Sequence, residues 1–209
     1  METTPRPSSG RRRHRRLVGL LLVVAGTATI GAASFSLAIF TSTAAVGANA
    51  FTTGSIVLGV APASAVFTSS SMMPGDAVPT GVPGQAVTIS NTGTGVLRYA
   101  ISGASTDADG KHLNTQLLVT VRQPDGNAGS SCALMTGNSL FSAVVPTAGV
   151  NMVGDPTQGA QAGDRTLAAG STETLCFKAS LPLATTNAYQ GTTSTYTFTF
   201  NAEQTANNL

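Results

Sequence analysis

Residues 187–204 read NAYQGTTSTYTFTFNAEQ, and in the second half of this stretch Phe198 and Phe200 alternate with Thr197 and Thr199. A period of two residues is typical of a β-strand that has one face on a core and the other in water. The stretch therefore predicts a strand near the C-terminal end of the sequence. Because a strand exposes backbone donors and acceptors along its edges, this one needs a neighbouring strand in the same domain or in another molecule.

The remainder of the sequence has the composition of a β-protein. Glycine accounts for 23 of the 209 residues, and no stretch keeps the apolar period of a helix for three turns. Runs rich in Thr, Ser, Val and Ala alternate with turn residues, which favours short strands. The predicted strands are residues 54–60, 63–68, 85–91, 96–103, 115–123, 139–145, 173–181 and 192–202. Since no helix lies between them, we expect an all-β fold: an antiparallel two-sheet sandwich, jelly-roll-like, with about eight strands.

Residues 147–170 interrupt this pattern because they are rich in glycine and have little apolar periodicity. We predict a long surface loop here. Loops of this length in compact domains are usually functional or mobile.

The N-terminal region has the order of a secretory signal peptide. Six of the eleven Lys and Arg residues lie in the first sixteen positions, an apolar run follows at residues 17–25, and no charged residue lies between Arg16 and Asp76. We therefore predict that residues 1–38 are a signal peptide. The alternative is an uncleaved anchor, since residues 17–40 are long enough to span a bilayer.

The cleavage site is predicted from small residues. Ser36 and Ala38 suit the two positions that a signal peptidase must accommodate, so the mature chain would begin at Ile39. Ala45 and Ala48 are alternative sites.

Export would place the single β-sandwich domain, residues 39–209, outside the cell or on its surface. In such an oxidising compartment, Cys132 and Cys176 are expected to form a disulfide. Closing a loop of about 44 residues would stabilise the fold by roughly 4 kcal/mol on the chain-entropy model. Two buried thiols are the alternative.

The domain itself is acidic. From residue 39 onward, five basic side chains are set against eight acidic ones, which leaves a net charge of −3. The five bases are scattered, whereas a nucleic-acid surface needs clustered bases to neutralise phosphates. We expect no nucleic-acid partner, and contact with a membrane and with signal peptidase only through the signal peptide before cleavage.

Candidate catalytic residues are few. His112 is the only histidine outside the signal peptide, and the chain has no His-Glu-x-x-His or Gly-x-Ser-x-Gly motif. We interpret His112 as an exposed turn residue, and we expect no catalytic residue, no metal ligand set and no cofactor. Asp107, Asp109 and Asp125 offer oxygen ligands for Ca²⁺ at loops, although acids in turns more often accept hydrogen bonds from the backbone.

Three segments appear in an order and spacing that match one protein family. Residues 49–58 (NAFTTGSIVL) form the first, and residues 71–76 (SMMPGD) with 87–93 (VTISNTG) form the second. The third consists of NAYQG and FTFNAEQ within the stretch quoted at the outset. Together they resemble the TasA/camelysin family of secreted bacterial proteins.

The resemblance implies a jelly-roll sandwich that is exported through a signal cut by a dedicated peptidase, and in fibre-forming members a subunit of the extracellular biofilm matrix. In that family the freshly cut N-terminal segment is thought to insert as a strand into the neighbouring subunit. The corresponding segment here is residues 39–51 (IFTSTAAVGANAF), whose candidate assembly residues are Ile39, Phe40 and Phe51. It carries no charge and no proline, which suits strand addition. Pairing within its own chain, or fraying, are the alternatives.

The predicted function is therefore that of a secreted structural protein, a matrix fibre subunit that self-associates by N-terminal strand addition. We expect the first mature strand, from the same chain or from a neighbour, to complete the edge of the strand at residues 192–202. A camelysin-type secreted protease and a monomeric surface binding module are the alternative functions. The sequence departs from the best-known fibre formers in being shorter and in carrying two cysteines.

Overall fold

The computed structural model describes residues 53–206, which fold into two antiparallel β-sheets. The strands are β1 Leu58–Ala61, β2 Ala77–Val78, β3 Gln85–Asn91, β4 Leu97–Ser105, β5 Leu118–Arg122, β6 Ser139–Val144, β7 Val150–Val153, β8 Arg165–Leu167, β9 Thr172–Ser180 and β10 Tyr196–Gln204. Three single 3₁₀ turns occur in the connections, at Leu113–Thr115, Asp125–Asn127 and Asn187–Tyr189. The predicted all-β sandwich is confirmed, and the jelly-roll connectivity stays a prediction.

The two sheets differ in size. The larger sheet has the order β1-β3-β9-β5-β6, and the short β2 extends it by pairing with β9. The smaller sheet has the order β10-β4-β7, with β8 also paired to β4. Every pairing among these strands is antiparallel.

The core lies between the sheets and is built from alternate residues of the central strands. On β3, for example, Val87 and Ile89 are fully buried while Thr88 and Ser90 on the other face are half-buried. Such alternation is what a strand with one face on a core requires. The largest buried apolar side chains are Val87, Ile89, Leu97, Tyr99, Ile101, Val119, Val121, Val145, Leu175 and Phe177.

A partly buried polar contact connects the two sheets. The hydroxyl of Tyr99 on β4 donates a hydrogen bond to Glu173 on β9, with an O–O distance of 2.6 Å. Glu173 in turn forms an ion pair with Arg165 on β8. Burial, and secondarily the bond to Glu173, raises the pKa of Tyr99 well above its usual value. The tyrosine is therefore held as a neutral donor.

The predicted disulfide between Cys132 and Cys176 is confirmed. Cys176 lies on the outer face of β9 and is fully buried, because the segment that carries Cys132 covers it. Asp125 organises this segment by accepting hydrogen bonds from the backbone N–H groups of Leu134 and Thr136 and from the hydroxyl of Ser131.

Two predictions about local structure are wrong. Residues 147–170 are not a continuous loop, since β7 and β8 lie within them and both pair with β4. These strands are four and three residues long, too short to show a period of two. Residues 63–68 are not a strand, because Pro62 has no N–H and the chain leaves β3 at this point, so no ladder forms.

The two lateral sides of the sandwich are closed differently. On one side the chain passes directly from β6 in the larger sheet to β7 in the smaller one, and these two strands lie in contact. On the other side the edge strands are β1 and β10. The connection from β1 to β2 runs along this second side, where Phe67 packs against Phe198 of β10.

Candidate functional site

The C-terminal strand β10 forms an edge of the smaller sheet. It pairs with β4 over all nine residues, from Tyr196 opposite Ser105 to Gln204 opposite Leu97, without a shift in register. Residues 197–202 have no backbone partner other than β4 within the described chain. One side of this strand therefore offers a continuous row of backbone donors and acceptors.

The two faces of β10 differ as the alternation of its residues predicts. Thr197 and Thr199 are exposed, whereas Phe198 and Phe200 are half-buried on the core side. The ring of Phe198 lies 5.3 Å from that of Phe177 on β9, and Phe200 lies 6.5 Å from the same ring. These contacts hold β10 against the larger sheet, and its position at an edge leaves the aromatic rings only partly covered.

The other sheet edges are shorter or less regular than β10. β1 has four residues and is followed by Pro62. The pairing of β6 with β5 and that of β7 with β4 both contain a shift in register, and β8 has only three residues. Irregular or short edges resist the addition of a further strand. Among the described strands, β10 is thus the edge best suited to accept one.

Charge is confined to one end of β10. Glu203 forms an ion pair with Arg98 of β4 and also accepts hydrogen bonds from the N–H of Gly159, at 3.1 and 3.3 Å. These contacts hold the β7–β8 connection on the outer face of the smaller sheet. From Tyr196 to Ala202 the strand carries no charged side chain that would repel an incoming strand.

A small polar pocket lies where the β7–β8 connection meets β4 and β10, and carboxylates of Asp155, Asp164 and Glu203 line part of it. Asp164 accepts hydrogen bonds from the N–H groups of Asp155 and Gln161. Hydrogen bonds from the backbone and side chain of Thr157 lower the pKa of Asp155. In this pocket Asp155 and Asp164 stabilise the turns of the β7–β8 connection by accepting backbone hydrogen bonds. Within residues 53–206, no group of three His, Cys, Asp or Glu side chains is placed to hold a metal ion.

The acids predicted as Ca²⁺ candidates accept hydrogen bonds from the backbone. Asp107 binds the N–H of His112, and Asp109 binds the N–H groups of Lys111 and Thr193. Hydrogen bonds from Thr193 and Lys111 lower the pKa of Asp109. The His112 side chain is 68% exposed and lies beside Asp107.

The remaining predicted site residues fall outside the described part of the chain. They are the cleavage residues Ser36, Ala38 and Ile39 and the assembly residues Ile39, Phe40 and Phe51. The first described strand, β1, pairs with β3 in the larger sheet and does not complete the edge of β10. Among residues 53–206, no helix is long and apolar enough to cross a membrane.

Sequence reasoning missed the contribution of Phe67 to this site. The run Ala65-Val66-Phe67 indicates burial, and Val66 and Phe67 do pack against the core. The apolar residues alone do not reveal that the segment packs by its side chains without joining a sheet.

Comparison with known proteins found no match: no family model matches the chain, and neither a curated protein nor a solved structure matches it. The fold and the site thus define a disulfide-containing β-sandwich with one long, regular sheet edge. The resemblance to the TasA/camelysin family rests on the sequence segments quoted above and stays a prediction.

Proposed function

We propose that this protein is an exported structural subunit of an extracellular matrix, and that copies of it assemble when residues 39–51 of one molecule add as a strand to β10 of the next. The observation that carries the proposal is the nine-residue edge of β10, which is regular in register and has no second partner strand in the described chain. Backbone hydrogen bonds along such an edge provide affinity in strand addition.

The proposed donor segment has suitable length and chemistry. Thirteen residues in extended conformation span about 44 Å, and the nine residues of β10 span about 30 Å. The segment can therefore pair along the entire edge. It is uncharged, free of proline and rich in Ala and Thr, so it introduces neither a repelling charge nor a residue that cannot donate.

The donor segment and the acceptor strand belong to parts of the chain that join different sheets, which supports strand exchange between molecules. Residues 39–51 lead into β1, which belongs to the larger sheet, whereas β10 belongs to the smaller one. A strand provided by a second copy pairs with β10 without requiring the chain to cross from the larger sheet to the smaller one.

The test compares purified protein that begins at Ile39 with protein that begins at Thr52. The described residues contain both sheets, the disulfide and the core, so the shorter form is expected to stay folded. We expect fibres from the longer form and monomers from the shorter one, by light scattering and electron microscopy.

Two results would contradict the proposal. If both forms remain monomeric at all concentrations, residues 39–51 do not join molecules together. If the shorter form loses its fold, by circular dichroism and urea unfolding, these residues are an internal strand of their own domain.

A further inference from the structure

We propose that residues 62–72 are a displaceable cover over the aromatic side of β10, and that this cover must move away from Phe198 before a second strand can add. The inference rests on the proposed function, since it describes how the same edge is controlled.

The backbone of the cover has no hydrogen-bond partner among residues 53–206. Within the described chain, residues 62–72 neither donate nor accept a hydrogen bond. The chain on either side is held firmly: Ala61 pairs with Thr88, and Gly75 donates to the carbonyl of Leu181 at 2.8 Å. The cover is therefore a segment attached at both ends whose middle can move without breaking a sheet.

A few side chains hold the cover in place. Val66, Phe67 and Met72 are half-buried against the core, and most of the other cover residues are exposed. The Phe67 ring lies 6.1 Å from that of Phe198 with an angle of 72° between their planes, an edge-to-face contact. Segments with few buried apolar contacts and no backbone hydrogen bonds open at low free-energy cost.

Phe67 occupies the place where an added strand would bury its own apolar residues. Phe198 lies on the core face of β10, so a strand paired with β10 must place alternate side chains beside this ring. While Phe67 packs there, the aromatic ring is shielded and the edge is competent only in the fraction of molecules whose cover is open. The apparent affinity for an incoming strand is lowered by that fraction.

The test measures binding of a synthetic peptide, residues 39–51, to protein that begins at Thr52 and therefore lacks this segment. Phe67→Ala removes the main contact of the cover. Phe141→Ala is the matched control, because Phe141 is also half-buried but lies on β6 at the opposite side of the sandwich. We expect the peptide to bind Phe67→Ala about tenfold or more tightly than wild type, and Phe141→Ala with wild-type affinity.

Hydrogen exchange and NMR spectroscopy of the protein that begins at Thr52, without any substitution, provide a second test. Addition of the peptide should protect the amides of β10 and should change the environment of Val66 and Phe67, observed as shifts of their NMR signals. Unfolding in urea is measured for each variant to verify that it is folded.

The possible failures are distinguishable. If the peptide binds all three proteins with equal affinity and the NMR signals of residues 62–72 do not shift, the proposal of strand addition is retained. The proposal that residues 62–72 must be displaced is then wrong. If the peptide binds none of the folded proteins, the proposed function fails and the cover proposal falls with it.

Discussion

At the scale of single residues, Asp125 shows how one carboxylate can organise a segment that has no regular structure. Its two oxygens accept hydrogen bonds from Ser131, Leu134 and Thr136, and its own N–H donates to the carbonyl of Ser131. Cys132 lies inside the turn formed in this way, which positions its sulfur against β9. Asp125 thus holds the segment that presents Cys132 to Cys176.

The same hydrogen bonds make this segment sensitive to acid. Donation from the backbone N–H of Thr136, together with the bonds from Ser131 and Leu134, lowers the pKa of Asp125 to about 2. Because the pKa in the folded state is below the ordinary value of 3.8, the carboxylate stabilises the fold above about pH 4, and this contribution is lost as the pH falls toward 2.

We predict that Asp125→Asn lowers stability at pH 7 and reduces its dependence on pH between 4 and 2. Urea unfolding across this range measures both effects, and limited proteolysis reports on residues 128–138. Asp155→Asn is a suitable control, since Asp155 caps a turn in the β7–β8 connection. Equal proteolysis of residues 128–138 in both variants would show that Asp125 does not organise the segment.

At the scale of elements, the local sequence pattern is sufficient to predict three strands of the larger sheet. The predicted strand at residues 85–91 coincides with β3, and the predictions for β6 and β9 agree to within one residue at each end. The sequences of β3 and β9 alternate or carry apolar runs because one or both of their faces are buried. β7 and β8 were missed since pairing with β4, a property of the whole fold, determines such short strands.

The candidate site was only partly predictable for a related reason. The alternation of residues along β10 determines which of its faces is apolar and which is polar, and the sequence therefore predicts both faces. The order of strands in the two sheets determines which strand lies next to β10. It also determines that Phe67 packs against Phe198. No local pattern carries that information.

The edge of β10 provides an element-scale prediction. Thr199→Lys places a charge on the exposed face of the strand, and lysine on an edge opposes the pairing of a further strand. With this substitution, we expect protein that begins at Ile39 to remain monomeric. Its free energy of unfolding should change by less than about 0.5 kcal/mol.

Ser142→Lys is the matched control because Ser142 is exposed on β6, the edge at the closed side. Light scattering should show normal assembly for this variant. If Ser142→Lys blocks assembly and Thr199→Lys does not, the acceptor edge is β6 and the assignment of β10 is wrong.

At the scale of the whole molecule, the contact of Tyr99 with Glu173 connects the sheets across the core. Tyr99→Phe removes one hydroxyl and leaves the Glu173–Arg165 ion pair in place. We predict a loss of about 1.5–3 kcal/mol in the free energy of unfolding, the usual contribution of a hydrogen bond to a charged group. Urea unfolding at pH 7 measures it.

Tyr196→Phe tests whether this loss is specific. Tyr196 is half-buried, and the bond from its hydroxyl to the carbonyl of Asn114 is long, at 3.5 Å. We expect a change below about 0.5 kcal/mol. Equal losses in the two variants would mean that the bond between the sheets contributes nothing beyond an ordinary tyrosine hydroxyl.

Among the described residues, the direct passage from β6 to β7 joins the two sheets on one lateral side, and the proposed acceptor edge, β10, lies on the other. A subunit with one donor segment and one acceptor edge can link only head to tail, so any polymer built this way is unbranched and its two ends differ chemically. One end presents a vacant edge and the other an unused segment. A short peptide of the donor sequence would then act as a chain terminator at the vacant end, and its concentration would set the mean length of the filaments.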